Sequence, residues 1–366
     1  MTRFLFLYTE IAPYVLACMR ALMERGVEVH LVRWPVNNEA PFELETGPRM
    51  RVYERGAYDG AGLIALVERI RPDIAFASGW VDQGYIAACR TLRAAGTPTV
   101  MCSDTAWRGD VRQWAAVVAA RLWIERAFSH AWVTGRSQAV YARKLGFAEH
   151  SIRTGFYAAD TGVFAPLAAT LGALKGEVWP HRFLCVARYI PTKGHQYLCD
   201  AFAELCDAGE VGDWELWIAG TGELRERVMN SPGGRHPRIR HLGFVQPNDL
   251  PDVMAQCGAF ILPSTYEPWG VVVQEHACAG FPLLLSDAVG AAERFLREAE
   301  NGYSFVAGDK ASIKKAMRHL AGRSDDELRV MGVRSAVLGS DWSPEQWART
   351  AIGLLPHLRQ ASAGNA

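Results

Sequence analysis

The sequence has no surplus of charge of either sign, with 39 Lys and Arg against 39 Asp and Glu in 366 residues. That balance argues against a chain-wide basic footprint, so nucleic acid is not an expected partner. Paired metal-binding motifs are missing as well. Its eight cysteines (18, 89, 102, 185, 199, 206, 257 and 278) are scattered through apolar segments with no CxxC pair. Such spacing argues against a zinc or thioredoxin-type site and for buried, reduced thiols. The ten histidines form no HxxxH or HExxH group, so no metal site is expected. Long apolar runs are absent too, because charges interrupt each one well before the ~20 residues that a spanning helix needs. The opening MTRFLFLYTE lacks the length and small-residue cleavage site of a signal peptide. A cytoplasmic protein is the expectation.

What is present is apolar material, 49% of the residues, against 21% charged. This is too apolar for a disordered chain, and the length suggests two domains. Short apolar runs at 3–8, 27–34, 73–78, 99–104, 130–135 and 151–155 alternate with helical patterns. Six strands alternating with helices predict a doubly wound first domain over residues 1–165. Residues 166–180, rich in Gly, Pro and small residues, read as a linker. The rhythm resumes at 183–189, 214–220, 239–245, 259–264, 282–287 and 303–306, predicting a second parallel α/β domain over 181–341. A last helix across 343–359 has no strand partner in its own half and is expected to cross back to the first domain with residues 342–366.

Ligands of open parallel sheets sit beyond the strand C-terminal ends. Two such sheets facing each other would direct both sets of ends to one cleft. After the strand at 183–189 come Arg188, Lys193 and Gly194. A forked cation, a point cation and a helix N-terminus suit a diphosphate, although a solvated helix-start lysine would look the same. In IAGTGELRERV (218–228), Gly220 and Gly222 stand between strand and helix. The third glycine of a dinucleotide fingerprint is missing, so these residues read as a sharp turn or a close backbone approach. The stretch AFILPSTYEPWGVVVQEHACAG (259–280) carries Glu267 in a loop and Glu275 in the following helix. Between them Trp269, Gly270 and Val271 fall at the helix start, where amides can face an anion. A carboxylate such as Glu275 can accept two hydrogen bonds from a ribose diol.

Together these residues resemble glycosyltransferase family 4, the retaining enzymes of the GT-B fold, in which two Rossmann-like domains face each other. The resemblance rests on Arg188, Lys193-Gly194, Gly220-Thr221-Gly222, HLGFV (241–245), the Glu267-seven-Glu275 spacing, Asn301-Gly302 and Gly308-Asp309. It implies a nucleoside-diphosphate sugar as donor, UDP-, GDP- or ADP-linked, and no true cofactor. Carried over residue by residue, it assigns Arg188 and Lys193 to the diphosphate, Glu275 to the ribose and Glu267 to the transferred sugar. The backbone of Trp269, Gly270 and Val271 would hold sugar and distal phosphate, and the segment around Phe244 and Val245 the base. It further implies a metal-independent front-face mechanism and a glycan or lipid-linked acceptor. Two other readings are a sugar-nucleotide epimerase of the same fold and a non-catalytic sugar-nucleotide-binding partner protein.

The first domain departs from the family pattern. The loop after its first strand reads YTEIAPYVLA without the usual glycine pair, and Cys102-Ser103-Asp104 stands where many members have His-Asp. Asp104 is the candidate for orienting the acceptor hydroxyl or the donor sugar, with an N-cap of the helix at 110 as the structural alternative. Between Trp107 and Arg153 lies a cationic stretch with four tryptophans, Trp107, Trp114, Trp123 and Trp132. It suggests peripheral contact with the inner face of the membrane. The alternative is a half-buried helix whose Trp and Val face the sheet and whose Arg face water.

Overall fold

The computed structural model describes residues 1–35, 47–175 and 178–355, and only the backbone of Arg121. The chain divides into two units, one formed by Met1–Asp160 with Trp342–Ala366 and the other by Thr161–Asp341.

The first unit holds β1 (Arg3–Tyr8), β2 (Glu28–Arg33), β3 (Met50–Glu54), β4 (Ile74–Ser78), β5 (Thr99–Ser103), β6 (His130–Val133) and β7 (Ile152–Arg153). They form one sheet in the order β3-β2-β1-β4-β5-β6-β7. Every pair is parallel. Its central strands are buried on both faces, so β1 is a continuous apolar run, as parallel sheets require. Aspartates fix the helix starts: Asp59, Asp82 and Asp110 each accept backbone amides of the first turn. The expected sheet lacked β3, which is an addition to it. The helix expected across 343–359 is Pro344–Ile352, opened by a Ser343 capping box, and residues beyond 355 lie outside the described residues. It belongs to the first core. The Trp347 ring stacks on Trp132 at 4.7 Å, and its indole N–H donates to the Phe156 carbonyl at 2.6 Å.

The second unit holds β8 (Arg182–Val186), β9 (Glu215–Ala219), β10 (Ile239–Gly243), β11 (Ala259–Leu262), β12 (Leu283–Ser286) and β13 (Gly302–Phe305). Their order is β10-β9-β8-β11-β12-β13, again all parallel. The strand order reverses between β8 and β11, and a doubly wound sheet binds its ligand at that switch point.

Two expectations are corrected. Most of the stretch read as a linker over 166–180 is the helix Thr161–Leu174, which belongs to the second unit and packs on the helices Val271–Cys278 and Asp325–Ser340. Pro166 and two glycines disguised it. Pro166 falls in the second turn, where the helix forgoes one backbone hydrogen bond near its N-terminal end. Gly176 and Glu177 of that stretch lie outside the described residues. The second correction concerns the helix Val111–Ala127. Trp132 is buried in the sheet and Trp107 and Trp123 are half-buried, but Trp114 faces solvent together with Val111, Val118 and Leu122.

All eight cysteines are free and seven are buried. Burial pushes the Cys89 and Cys185 thiols up to about 12, which keeps them protonated and inert.

Candidate functional site

The predicted second-domain residues gather at the C-terminal edge of the second sheet. Lys193 closes a single 3-10 turn, Pro191–Lys193, after β8, and Glu267 lies in the loop after β11. These two strands flank the switch point, so residues far apart in sequence meet there. The Lys193 ammonium is hydrogen-bonded and ion-paired to Glu267 Oε2, with both side chains largely buried. The Ser264 hydroxyl donates to the same oxygen at 3.4 Å. The two loops are also tied by backbone, since the Thr192 carbonyl accepts the Thr265 amide at 2.8 Å. Arg188 projects from the β8 loop as an exposed side chain that has interactions of its own.

Gly194 makes this approach feasible. It is the N-cap of the helix His195–Asp207, with φ at 68°. A Cβ there would stand 2.1 Å from the Pro263 carbonyl oxygen. Alanine at this position would carry both left-handed strain and a clash with backbone. We expect Gly194→Ala to cost about 2 kcal/mol or more, read as a lower urea midpoint. An unchanged midpoint would mean that the two loops are not held this closely.

Gly220 and Gly222 form the floor of the neighbouring loop, with φ of 142° and 145°. Cβ atoms there would lie 2.1 Å from the Ala187 oxygen and 2.6 Å from the Tyr189 oxygen. The glycines therefore serve close packing of the β9 loop under the β8 loop. Beneath them Tyr189 is buried, its hydroxyl 2.6 Å from His241 Nδ1, while His241 Nε2 lies 3.0 Å from the Gly234 carbonyl. His195 stacks on the Tyr189 ring at 4.1 Å. Burial, then the nearby Lys193 charge, drives His195 down to about 3, so it stays neutral. Tyr189, His195, Ser264 and Thr192 were not singled out from sequence, and His241 entered only as the first residue of HLGFV. They have no fixed spacing, and only the strand pairing reveals them.

Gly270, with φ at 89°, caps the helix Val271–Cys278. The first amides of that helix have no acceptor within it. The preceding loop is braced from the turn after β12: the Gly290 amide donates to the Glu267 carbonyl at 3.0 Å and the Ala291 amide to the Trp269 carbonyl at 2.9 Å. The Trp269 ring is buried edge-on to Phe295, so this residue has only backbone to offer a ligand. Glu275 sits half-buried one turn into the helix. Burial pushes its carboxyl up to about 7. Beyond β10, Phe244 is exposed and Val245 half-buried. A lysine, a helix start and two carboxylates at one sheet edge can hold an anionic, hydroxyl-rich ligand. Among the described residues no group of three or more His, Cys, Asp and Glu side chains is placed to share a metal ion.

Asp104 belongs to the first unit. It lies just past β5 and does not cap the helix, a role taken by Asp110, whose carboxylate accepts the Gln113 amide at 2.9 Å. Instead the Tyr157 hydroxyl donates to Asp104 Oδ2 at 3.3 Å, and Gln138 Nε2 donates to the Asp104 carbonyl at 3.2 Å. The N-cap alternative therefore falls.

Comparison with known proteins gives this geometry a context. Residues 179–331 match the family model described as glycosyl transferases group 1. A lipopolysaccharide core biosynthesis glycosyltransferase of Rhizobium meliloti is 25% identical over 252 residues, which is 68% of this chain and 57% of that protein. A phosphatidyl-myo-inositol mannosyltransferase of Mycobacterium leprae is 32% identical over 157 residues, 42% of this chain and 40% of its own length. The matches to these curated relatives thus span about half of their length. Among solved structures, a sucrose-phosphate synthase from Thermosynechococcus elongatus superimposes with a TM-score of 0.76 at 15% identity, covering 99% of this chain and 100% of the other. An Anabaena protein in complex with UDP and glucose does so with a TM-score of 0.71 at 15% identity, covering 97% and 99%. Residues 179–331 thus match the family of glycosyl transferases group 1, and the chain has the two-domain GT-B fold of the glycosyltransferase structures it resembles.

Proposed function

We propose that this protein transfers a sugar from a nucleoside-diphosphate sugar to a glycan or lipid-linked acceptor, with retention of the anomeric configuration. The observation that carries the reading is the Lys193–Glu267 pair at the switch point of the second sheet, beside two glycine-capped helix starts. The group 1 match over 179–331 and the UDP bound by the Anabaena protein support it.

In this reading the bond between the anomeric carbon and the diphosphate breaks while the bond to the acceptor oxygen forms on the same face. The acceptor proton passes to the departing phosphate oxygen. Positive charge grows on the sugar and negative charge on the diphosphate, so groups fixed beside the diphosphate stabilise the transition state more than the ground state. Lys193, Arg188 and the amides of Gly270 and Val271 are assigned that task, and two protein cations take the place of a divalent metal. Glu267 holds hydroxyls of the sugar and Glu275 the ribose diol. Lys193 then has two anionic partners, Glu267 without donor and the diphosphate with it. Phe244 and Val245 bracket the base, and Asp104 is assigned to the acceptor side.

The test is nucleoside diphosphate release from UDP-, GDP- and ADP-sugars, with and without glycan and lipid-linked acceptors, and the product anomer read by NMR. Release that depends on acceptor, with the donor's anomeric configuration kept, is expected. Interconversion of the sugar nucleotide without acceptor would replace transfer by epimerisation. Failure to bind any sugar nucleotide would sink the reading.

A further inference from the structure

The helix Val111–Ala127 has two apolar faces. One packs on the first core through Gln113, Ala120, Ile124 and Ala127. The other is open: Val111 is 85% exposed, Val118 74%, Leu122 71% and Trp114 52%. At about 100° per residue these four fall on one side of the helix. A surface helix normally keeps that side polar, and one apolar all round is normally buried. This one is neither covered nor polar.

One flank of the stripe is cationic. Arg112 and Arg126 lie along it, both exposed and in no ion pair among the described residues. Trp114 is held edge-on to Trp107 at 5.2 Å, with the Lys144 ammonium over both rings at 5.2 and 4.7 Å. Of the two acids within residues 110–127, Asp110 is committed to capping the helix, and Glu125 stands near the C-terminal end. Apolar side chains and an indole flanked by arginines match the acyl boundary and anionic headgroups of a lipid surface. Self-pairing matches less well, since two copies apposed through this face would set arginine against arginine. Among the described residues no helix is long and apolar enough to cross a membrane, so the contact would be peripheral.

We propose that Val111, Trp114, Val118 and Leu122, flanked by Arg112 and Arg126, form a docking face for an anionic lipid bilayer. The face lies in the first unit, and its test needs no turnover, so it stands or falls apart from the donor chemistry assigned to the second unit.

Full-length protein is floated with vesicles of phosphatidylcholine alone or mixed with phosphatidylglycerol, at roughly physiological salt, about 0.15 M. Co-flotation with the mixed vesicles and not with the zwitterionic ones is expected. The variant Val118→Glu/Leu122→Glu should reduce the bound fraction about tenfold or more. Arg112→Glu/Arg126→Glu should reduce it similarly and flatten its salt dependence. Because all four positions are exposed, far-UV circular dichroism and the thermal response to nucleoside diphosphates should match the unaltered protein. No binding to mixed vesicles, or equal binding by the variants, overturns the proposal. Self-association abolished by Val118→Glu/Leu122→Glu, without vesicle binding, assigns the face to a second copy and overturns it as well.

Discussion

Replacing Lys193 with alanine is expected to lower turnover by about 10²–10³-fold, the scale for removing one preorganised electrostatic group. Donor affinity should fall less than turnover, since charge on the leaving diphosphate is greatest in the transition state. The structure adds a second consequence. Without Lys193, Glu267 loses its ion-pair partner and, among the described residues, keeps only the long side-chain bond from Ser264. Two largely buried groups that neutralise each other become one uncompensated carboxylate, so some stability is lost along with activity. Glu267→Gln made together with Lys193→Ala should restore stability but not turnover. A folded Lys193→Ala protein with near-normal turnover would show that the lysine serves the ion pair alone.

Glu275→Gln should act in opposite directions on stability and on binding. The carboxyl is driven from 4.5 to about 7 by burial alone, so the folded chain binds its proton more tightly than the unfolded chain does. Stability therefore falls as pH rises from about 4.5 to about 7 and levels off above that. By pH 8 the accumulated cost is up to about 3 kcal/mol, at 1.36 kcal/mol for each pKa unit. Glutamine removes it, so the variant should melt several degrees higher than the unaltered protein at pH 8, and the two should converge near pH 5. If Glu275 accepts hydrogen bonds from the ribose diol, the amide loses charge-assisted bonds, and donor affinity should drop about tenfold or more. Donor affinity of the unaltered protein should strengthen as pH rises through about 7, and this dependence should vanish in the variant. A variant that is no more stable at pH 8 would contradict the burial argument. One that binds donor normally would remove Glu275 from the ribose.

The sequence announces most of this architecture because parallel strands buried on both faces must be apolar throughout. RFLFLY and FLCV, short and bounded by charged or turn residues, read as such strands. β3 escapes notice because Met50-Arg51-Val52-Tyr53-Glu54 is an edge strand that, among the described residues, pairs only with β2, and its outer side tolerates charge. The helix Thr161–Leu174 escapes because its composition suggests a linker, whereas in the fold it packs on neighbouring helices of the second unit. In the site, Lys193, Glu267 and Glu275 were legible from their order after particular strands. That Lys193 and Glu267 are bound to each other was not. It follows from β8 lying beside β11, a pairing that no local spacing encodes. The open face of Val111–Ala127 was hidden for a different reason. Apolar residues on both sides of a helix cancel in any amphipathic pattern, so the buried and exposed stripes could not be told apart.

The helix Pro344–Ile352 carries a consequence for biosynthesis. Residues 161–341 form one unbroken unit, whereas the first unit needs Met1–Asp160 and a segment that begins at Trp342. Until that segment leaves the ribosome, the sites on Phe6, Trp132 and Phe156 that Trp347 fills are open. The usual order of synthesis, in which the N-terminal domain completes first, is thereby inverted. The second unit has all its residues before the first can close, and the nascent first unit must wait with an apolar seam exposed for the length of an entire domain.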